Sequence, residues 1–369
     1  MEVESRRFSM MPKIAIIYLT YNTKDSAEDI PECLRSIEVA EYPKDRMMIV
    51  FVENKSKHGQ SRSMIERDWF PKAGVTMPEM EYISNVDDVG YAGATGVGLV
   101  AARTWGADYV YLLNQDTVVD PNFLWRIVQY AESHSNAAIM QSRLMLKQSP
   151  DECNSQGNAL HYLGFGFSIG YGEKYIPNET AKLPMFYASG AAVLIRISAI
   201  DLIGFFEPSY YMYHEDVDLS WRARLAGFDI AYVEDSVVFH HYEFSRSISK
   251  FFWMERNRHL TNLVNYEWKT LLVIAPMTLI MELGTMIFAI KSGWWKEKLR
   301  SWIYFFKPST WQFICTRRAK VASFRKVRDA ELLPMLCGVI TNQDIENPML
   351  TYVVNPVLNA YFGLIKRIL

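Results

Sequence analysis

Tyr109–Thr117 reads YVYLLNQDT. Five apolar, strand-favouring residues run without a break and stop at Asn114-Gln115-Asp116-Thr117. A short apolar run bounded in this way is a buried parallel strand with polar groups at its carboxyl end. The pattern recurs upstream. Ile14–Thr20 is a run of the same kind and ends at Tyr21-Asn22-Thr23; Met47–Val52 ends in Glu53 and Asn54; Met80–Ser84 reads as a third strand. Ile30, Leu34 and Ile37 make a helical stripe between the first two, and Leu99–Trp105 continues a helix before Tyr109. Asp120 followed by Pro121 is a helix start, a cap and then proline at the first helical position, with the helix running towards Ser133. Ala137–Met140 is the next strand. Strands alternating with helices predict β-α-β units, hence an α/β fold whose mostly parallel sheet carries helices on both faces. Ligands of such sheets bind outside the carboxyl ends of the strands. Tyr21-Asn22-Thr23, Glu53-Asn54 and Asn114-Gln115-Asp116 are therefore site candidates by position alone.

A second stretch, Tyr210–Arg224, reads YYMYHEDVDLSWRAR. Glu215 and Asp216 stand where an aromatic loop gives way to a helix, with Leu219, Arg222, Ala223 and Ala226 on one face. Gly227 follows the last turn, where positive φ often ends a helix. The two acids sit at the helix N-terminus, where the macrodipole favours negative charge. An acid there is commonly a simple cap, but a cap does not need a second acid beneath four aromatic or sulfur side chains.

The remaining signals are coarser. The chain has 369 residues, half of them hydrophobic, which is enough for a large core and two units. A net charge of −2 gives no reason to expect nucleic acid. The four cysteines form no C-x-x-C pair and favour a reducing compartment. The glycine-rich GYAGATGVG after Val89 reads as a tight turn with close helix packing rather than a dinucleotide site. Cys153–Tyr175 shows no clear period and reads as loop or short antiparallel strands. Ser189-Gly190-Ala191-Ala192 leads into a strand, Val193–Arg196, where small residues allow close backbone approach. Ile230–Val233 and Ser236–Phe239 read as two strands ending at His240 and His241, and two histidines at a strand end raise the question of a metal.

In order and spacing these blocks resemble the inverting nucleotide-sugar glycosyltransferases of family 2, with the fold called GT-A, over roughly residues 12 to 262 and within the rhamnosyltransferase-like branch. The blocks are Thr20-Tyr21-Asn22, Val52 to Ser56, Gly90-Tyr91-Ala92-Gly93, Leu113 to Thr117, Ser189-Gly190-Ala191, Glu215 to Leu219 with Arg222, His240, and Glu255 to Arg258. The resemblance implies a nucleotide-diphosphate sugar lying across Thr20, Tyr21, Asn22, Glu53, Asn54, Gly90, Tyr91, Gly93, Asn114, Gln115, Asp116, Ser189 and Gly190. It implies Asp116 and His240 as ligands of a divalent cation, Mg²⁺ or Mn²⁺, acting on the leaving diphosphate. It makes Asp216 the general base, with Glu215, Tyr211 and Trp221 towards the acceptor and Arg256 and Arg258 towards phosphate. This sequence departs from the family in three places. Glu53 stands for the usual aspartate, Asn114-Gln115-Asp116 for Asp-x-Asp, and Ala94-Thr95-Gly96 where asparagines are usual.

Composition changes after Tyr266. Leu271–Ile290 is a run of 20 nearly free of charge, long enough for a bilayer. Glu282, Pro276 and Gly284 argue against simple spanning. Tryptophans 294, 295 and 302, mixed with lysine and arginine, suit a membrane interface, and the basic cluster Arg317 to Arg328 suits anionic headgroups. The expected organisation is an N-terminal tail over 1–12, a GT-A unit over 13–265 and a helical, membrane-associated region over 266–369. The partners are the sugar donor, a lipid-linked or glycan acceptor and a membrane surface, at its cytoplasmic face. The apolar region also admits a homo-oligomer. A sugar nucleotidyltransferase is the competing enzyme class, but Leu19 to Lys24 holds no glycine to cradle a triphosphate. An inactive glycan-assembly scaffold would draw on Asn114 alone.

Overall fold

Alternation along the first strand sets the architecture. In β1 (Ile14–Thr20), Ile14, Ile16 and Tyr18 join one apolar cluster while Ala15 and Ile17 join another. The strand is therefore covered on both faces, as expected of a parallel sheet between helices. The computed structural model describes residues 11–23, 26–179, 183–242, 250–341 and 348–369; the expected tail over 1–12 and Lys24 fall almost wholly outside them.

Strands β2 (Met47–Glu53), β3 (Glu79–Ser84) and β4 (Tyr109–Asn114) run parallel to β1 in the order β3-β2-β1-β4. Beyond β4 the sheet is mixed. β5 (Thr117–Val119) lies at the far edge, antiparallel to β11 (Asp229–His240). β6 (Ala137–Leu146) pairs in parallel with β11 and antiparallel with β7 (Ser149–Ser155). β10 (Ala192–Arg196) is inserted antiparallel between β4 and β6. β8 (Asn158–Leu160) and β9 (Gly166–Ser168) form a separate hairpin. The strands expected at Ile230–Val233 and Ser236–Phe239 are one strand, β11, with a register shift between Val233 and Val237.

One face of the sheet carries α1 (Ser26–Glu38), α2 (Arg62–Asp68) and α4 (Phe123–Ser133); the other carries α3 (Gly90–Trp105), α5 (Ile197–Ile203), α6 (Glu215–Leu225) and α7 (Lys250–Asn265). Pro31 lies inside α1, where proline costs about 3 kcal/mol. Ile30, Leu34 and Ile37 are wholly buried and contribute roughly 1.5–3 kcal/mol each, so burial wins. The glycine-rich segment is the first half of α3 rather than a turn. A Cβ on Gly98 would stand 2.6 Å from Ile17 Cγ2, so only glycine allows α3 this close to β1. The helix expected from Asp120-Pro121 begins at Phe123; Asp120 Oδ1 instead accepts the N–H of Asn122 at 2.9 Å.

The chain continues through α8 (Trp268–Lys291), α9 (Trp295–Tyr304), α10 (Pro308–Phe324), α11 (Asp329–Leu332) and α12 (Asn355–Ile368). Ile274, Ile314, Val321 and Phe362 from this region belong to the same apolar cluster as Val50 and Val52 of the sheet. The Tyr162 and Phe362 rings stack at 5.1 Å.

Candidate active site

The entry to α6 is strained. Tyr211, Tyr213 and His214 have φ of 64°, 66° and 68°, a left-handed conformation that costs an L-residue roughly 1–2 kcal/mol. Such a loop persists only where its surroundings hold it. Asn257 of α7 is the main holder. The two hydrogens of its Nδ2 are shared among the carbonyls of Tyr210, Met212 and Tyr213 at 2.9, 2.9 and 2.7 Å. Arg256 adds a bond to Ser209 O at 2.5 Å. On the other side Ala92 donates to Tyr211 O at 3.0 Å, and the Tyr211 hydroxyl donates to Asp88 at 2.6 Å. The Tyr211 ring stacks on Trp253 at 4.6 Å. Gly90 has φ of 72°, and a Cβ there would stand 2.3 Å from Tyr211 O, so the close approach requires glycine.

This loop delivers Glu215 and Asp216 to the first turn of α6. Asp216 Oδ1 accepts the N–H of Val217 at 2.8 Å, and Oδ2 lies 3.4 Å from the N–H of Gly190. The carboxylate thus serves the helix start and also faces the Ser189-Gly190 loop. Burial pushes its pKa up to about 6, against those same N–H groups. Burial, and then the charge of Asp216, raise Glu215 well above the ordinary carboxylate range. Its Oε2 has no partner among the described residues. A carboxylate whose pKa is raised towards neutral is suited to accepting a proton.

Tyr91 joins this pair to the strand ends. Its hydroxyl donates to Gly190 O at 2.6 Å. Burial first, and then the fields of Glu215, Asp216 and Asp116, push its pKa well up. All three acids therefore act on one hydroxyl through their charge. Asp116 follows β4, and its Oδ1 is 3.3 Å from His240 Nε2. His240 Nδ1 contacts Asn154 Oδ1 at 2.9 Å. Burial would raise the Asp116 pKa, but His240 outweighs burial and holds it low, so the group is ionised. Its Oδ1 faces His240 Nε2 and makes no other side-chain hydrogen bond among the described residues. An ionised carboxylate converging with an imidazole nitrogen oriented by a further amide fits a divalent cation. A second acidic cluster, Glu255, His259 and Glu282, does not. Arg258 bonds both of its carboxylates at 2.8 and 2.5 Å, and Lys298 reaches Glu282 at 2.7 Å and Glu255 as well. Two cations already answer two anions there.

The end of the site formed by β1, β2 and β3 has a different character. Glu53 Oε1 accepts the N–H of Ser61 at 2.7 Å. Its Oε2, Thr20 Oγ1 and the Tyr82 hydroxyl are buried and turned towards one another without well-aligned hydrogen bonds among the described residues. Burial raises the Tyr82 pKa, Thr20 opposes it and the charge of Glu53 adds to it. Asn54 is buried and bridges Gly90 O and Asn85. Asn22 accepts from Ser56 and Ser61. Gly93 packs on Val89, Asn114 donates its N–H to Ala191, and Ser189 donates to Gln141 Oε1 at 2.8 Å.

Four expected residues do other work. Trp221 is 1% exposed, edge-on to Tyr266 and Phe186, and is a core residue. Arg258 is locked between Glu255 and Glu282, and Arg256 is bound to the loop before α6. Gln115 is tied by both ends of its amide to the backbone of Tyr21. Sequence reasoning missed Asn257, Tyr82, Gln141 and Asn154. Asn257 stood in view between the two arginines; the others lay in plain strands or in the stretch without a period.

Residues 12–262 match the family model described as Glycosyltransferase like family 2. The chain belongs to glycosyltransferase family 2. Among curated relatives, the rhamnosyltransferase WbbL of Escherichia coli is 26% identical over 164 residues, 43% of this chain and 61% of that protein. Glucomannan 4-beta-mannosyltransferase 2 of Arabidopsis thaliana is 28% identical over 53% of this chain and 35% of its own length. N-acetylglucosaminyl-diphospho-decaprenol L-rhamnosyltransferase of Mycobacterium tuberculosis is 41% identical over 63 residues, 17% of this chain and 20% of that one. The family-2 chain thus matches less than two thirds of the length of each of these relatives. Among solved structures, a mannosyltransferase of Pyrobaculum calidifontis in complex with GDP-Man and Mn²⁺ superposes with a TM-score of 0.51 at 14% identity, over 87% of this chain and 92% of that one. The GT-A fold expected from the motif order is therefore present, in its mixed-sheet form, with helices appended.

Proposed function

We propose that this chain is an inverting glycosyltransferase that moves a sugar, with rhamnose the first candidate, from a nucleotide-diphosphate donor to a hydroxyl of a lipid-linked glycan at a membrane surface. The observation that carries the reading is Asp216, half-buried at the start of α6 beside Gly190, with a pKa raised to about 6 and a strained loop before it; Tyr91, bonded to Gly190, feels its charge and that of Asp116, which pairs with His240. The donor lies across the strand ends, its nucleoside towards Thr20, Glu53 and Tyr82 and its diphosphate towards Asp116. A divalent cation, Mg²⁺ or Mn²⁺, held by Asp116 and His240, would neutralise charge on the departing diphosphate. Asp216 takes the proton of the acceptor hydroxyl, whose oxygen attacks the anomeric carbon on the face opposite the leaving group. One displacement inverts the configuration. Glu215 and Tyr211 border the acceptor side. The lipid-linked acceptor draws support from the decaprenol relative's name and from the apolar helix α8. The cysteine pattern supports the cytoplasmic face.

The test is nucleoside diphosphate release from sugar nucleotides with Asp216→Asn and Asp116→Ala. Asparagine keeps the helix start, so Asp216→Asn should retain the donor-induced melting shift and lose turnover by roughly 10²–10⁴-fold. Asp116→Ala should abolish the metal dependence of that melting shift. A fully active Asp216→Asn enzyme would overturn the assignment.

A further inference from the structure

Helix α8 is apolar on two opposite faces. One stripe, Ile274, Met277 and Ala289 among it, packs on the rest of the chain. The opposite stripe, Leu272, Leu279, Ile280, Leu283, Ile287 and Ile290, is 58–75% exposed. A surface helix normally turns polar residues outward; α4 does so, with Arg126, Gln129 and Glu132 exposed. The outer stripe does not stand alone. α12 packs antiparallel along the first half of α8, with Lys269 Nζ bonded to Ile368 O at 3.1 Å and Tyr361 Oη to Val273 O at 2.7 Å. It adds exposed Val357, Leu364 and Ile368, while α9 beside the second half adds Leu299 and Ile303. Trp268 and Trp295 stand exposed near the two ends of α8, with Lys269, Lys291, Lys296 and Arg300 around them. Tryptophan and cations rimming an apolar face match the lipid–water boundary.

At 24 residues α8 is about 36 Å long, enough to cross a hydrocarbon core of about 30 Å. Its attachments do not permit that. Glu282, past the midpoint of α8, is bonded to Arg258 of α7 and to Lys298 and Trp302 of α9. α7 is the helix whose Asn257 holds the catalytic loop. A crossing α8 would take α7, with its arginine and ion pairs, into the hydrocarbon.

We propose that α8, α9 and α12 together form a seat that rests in one leaflet of a lipid bilayer, with α8 lying in the plane of the membrane rather than across it. The seat also fixes where the acceptor arrives. Trp294, at the corner between α8 and α9, stacks on Phe251 at 4.5 Å, and two residues further along α7 Trp253 stacks on Tyr211. These two stacks lie on different sides of α7, one tying it to the corner between α8 and α9 and the other to the loop before α6. A substrate carried by a lipid reaches Asp216 from that corner. The inference rests on the reading of a membrane-borne acceptor, and its experiment separates the two.

The test uses the full chain carrying Cys315→Ser, which removes the one exposed cysteine, with either Lys269→Cys or Lys291→Cys at an end of α8. The protein is added to preformed sealed vesicles of phosphatidylcholine and phosphatidylglycerol, floated, and treated with a membrane-impermeant maleimide. Both cysteines are expected to react from outside without detergent. One end protected until detergent is added would show a crossing helix and overturn the proposal. Failure to float, or a soluble oligomer that covers the face, would overturn it too. Leu279→Glu with Leu283→Glu should lower the floated fraction roughly tenfold or more, because binding scales with the apolar area inserted, while leaving the donor-induced melting shift intact. Undiminished flotation of that variant would remove α8 from the seat. A wild-type chain that floats but shows no melting shift with any sugar nucleotide would refute the catalytic reading and leave the seat standing.

Discussion

Burial raises the Asp216 pKa to about 6, so if it is the proposed base its titration should be visible in activity. Only the carboxylate accepts a proton, and the raised pKa means that it is protonated below about 6. The value of kcat/KM for the acceptor should therefore fall as pH drops through about 6, where an ordinary surface aspartate would hold activity to about pH 4. A profile flat from pH 7 to pH 5 would refute the assignment. Asn257 makes a second test at this scale. Asn257→Ala frees three carbonyls of a strained loop, so kcat should fall by at least tenfold, the order expected when a catalytic group is misplaced by about 1 Å. Donor affinity, set at the far strand ends, should hold; an equal loss in both would make Asn257 merely structural. The two residues also mark what the sequence reveals. The pair Glu215-Asp216 is legible because its signal is local, two acids at a helix start. Asn257 bonds carbonyls 44 to 47 positions earlier, and no local pattern encodes that.

At the scale of elements, α6 is anchored by the third acid of its first turn. Asp218 and Arg222 form an ion pair at 2.8 Å with neither side chain more than 1% exposed. Arg222 also donates to the carbonyls of Ile203, Gly204 and Phe205, and Asn265 donates to Asp218. Removing one partner of a buried pair costs about 3–5 kcal/mol, so Arg222→Met should lower the urea midpoint sharply while Arg224 and the rest of α6 stay in place. A change under 1 kcal/mol would contradict the anchoring role. The parallel strands β1, β2 and β4 were legible because five to seven residues suffice to show a buried strand, and the edge strand β3 followed from the β-α-β spacing. The reversed direction of β10 was not, since it depends on partners in β4 and β6 far along the chain. The glycine run misled for a related reason. Its small residues answer Ile17 and Tyr211, which are distant in sequence, and not a local turn.

The whole molecule has one continuous apolar cluster on the α3 side of the sheet. Leu260 and Val264 of α7, Ile314 and Phe324 of α10, and Leu358 and Ile365 of α12 share it with Val110 and Leu112. Cutting the chain at residue 266 would strip this face, so the truncated protein should aggregate or lose its cooperative thermal transition. A soluble, cooperatively melting 1–266 fragment that binds donor would show that the later helices are separable after all. The composition change after Tyr266 was plain to read; that these helices complete the core was not, because apolar residues that face lipid and those that face protein look alike in a sequence.

Asn257 and Arg258 are neighbours on α7, yet one grips the loop before Asp216 and the other grips α8, the helix with the exposed apolar stripe. Consecutive side chains leave a helix roughly 100° apart, which lets a single rod hold two bodies at a fixed angle. One alanine inserted between them would swing either grip by that same angle and lift it about 1.5 Å, so no setting of the rod could satisfy both. This joint tolerates exchange of many surface residues but no change of length. On the proposed reading, the distance from bilayer to reacting hydroxyl would be a ruled measure, cut into the pitch of α7.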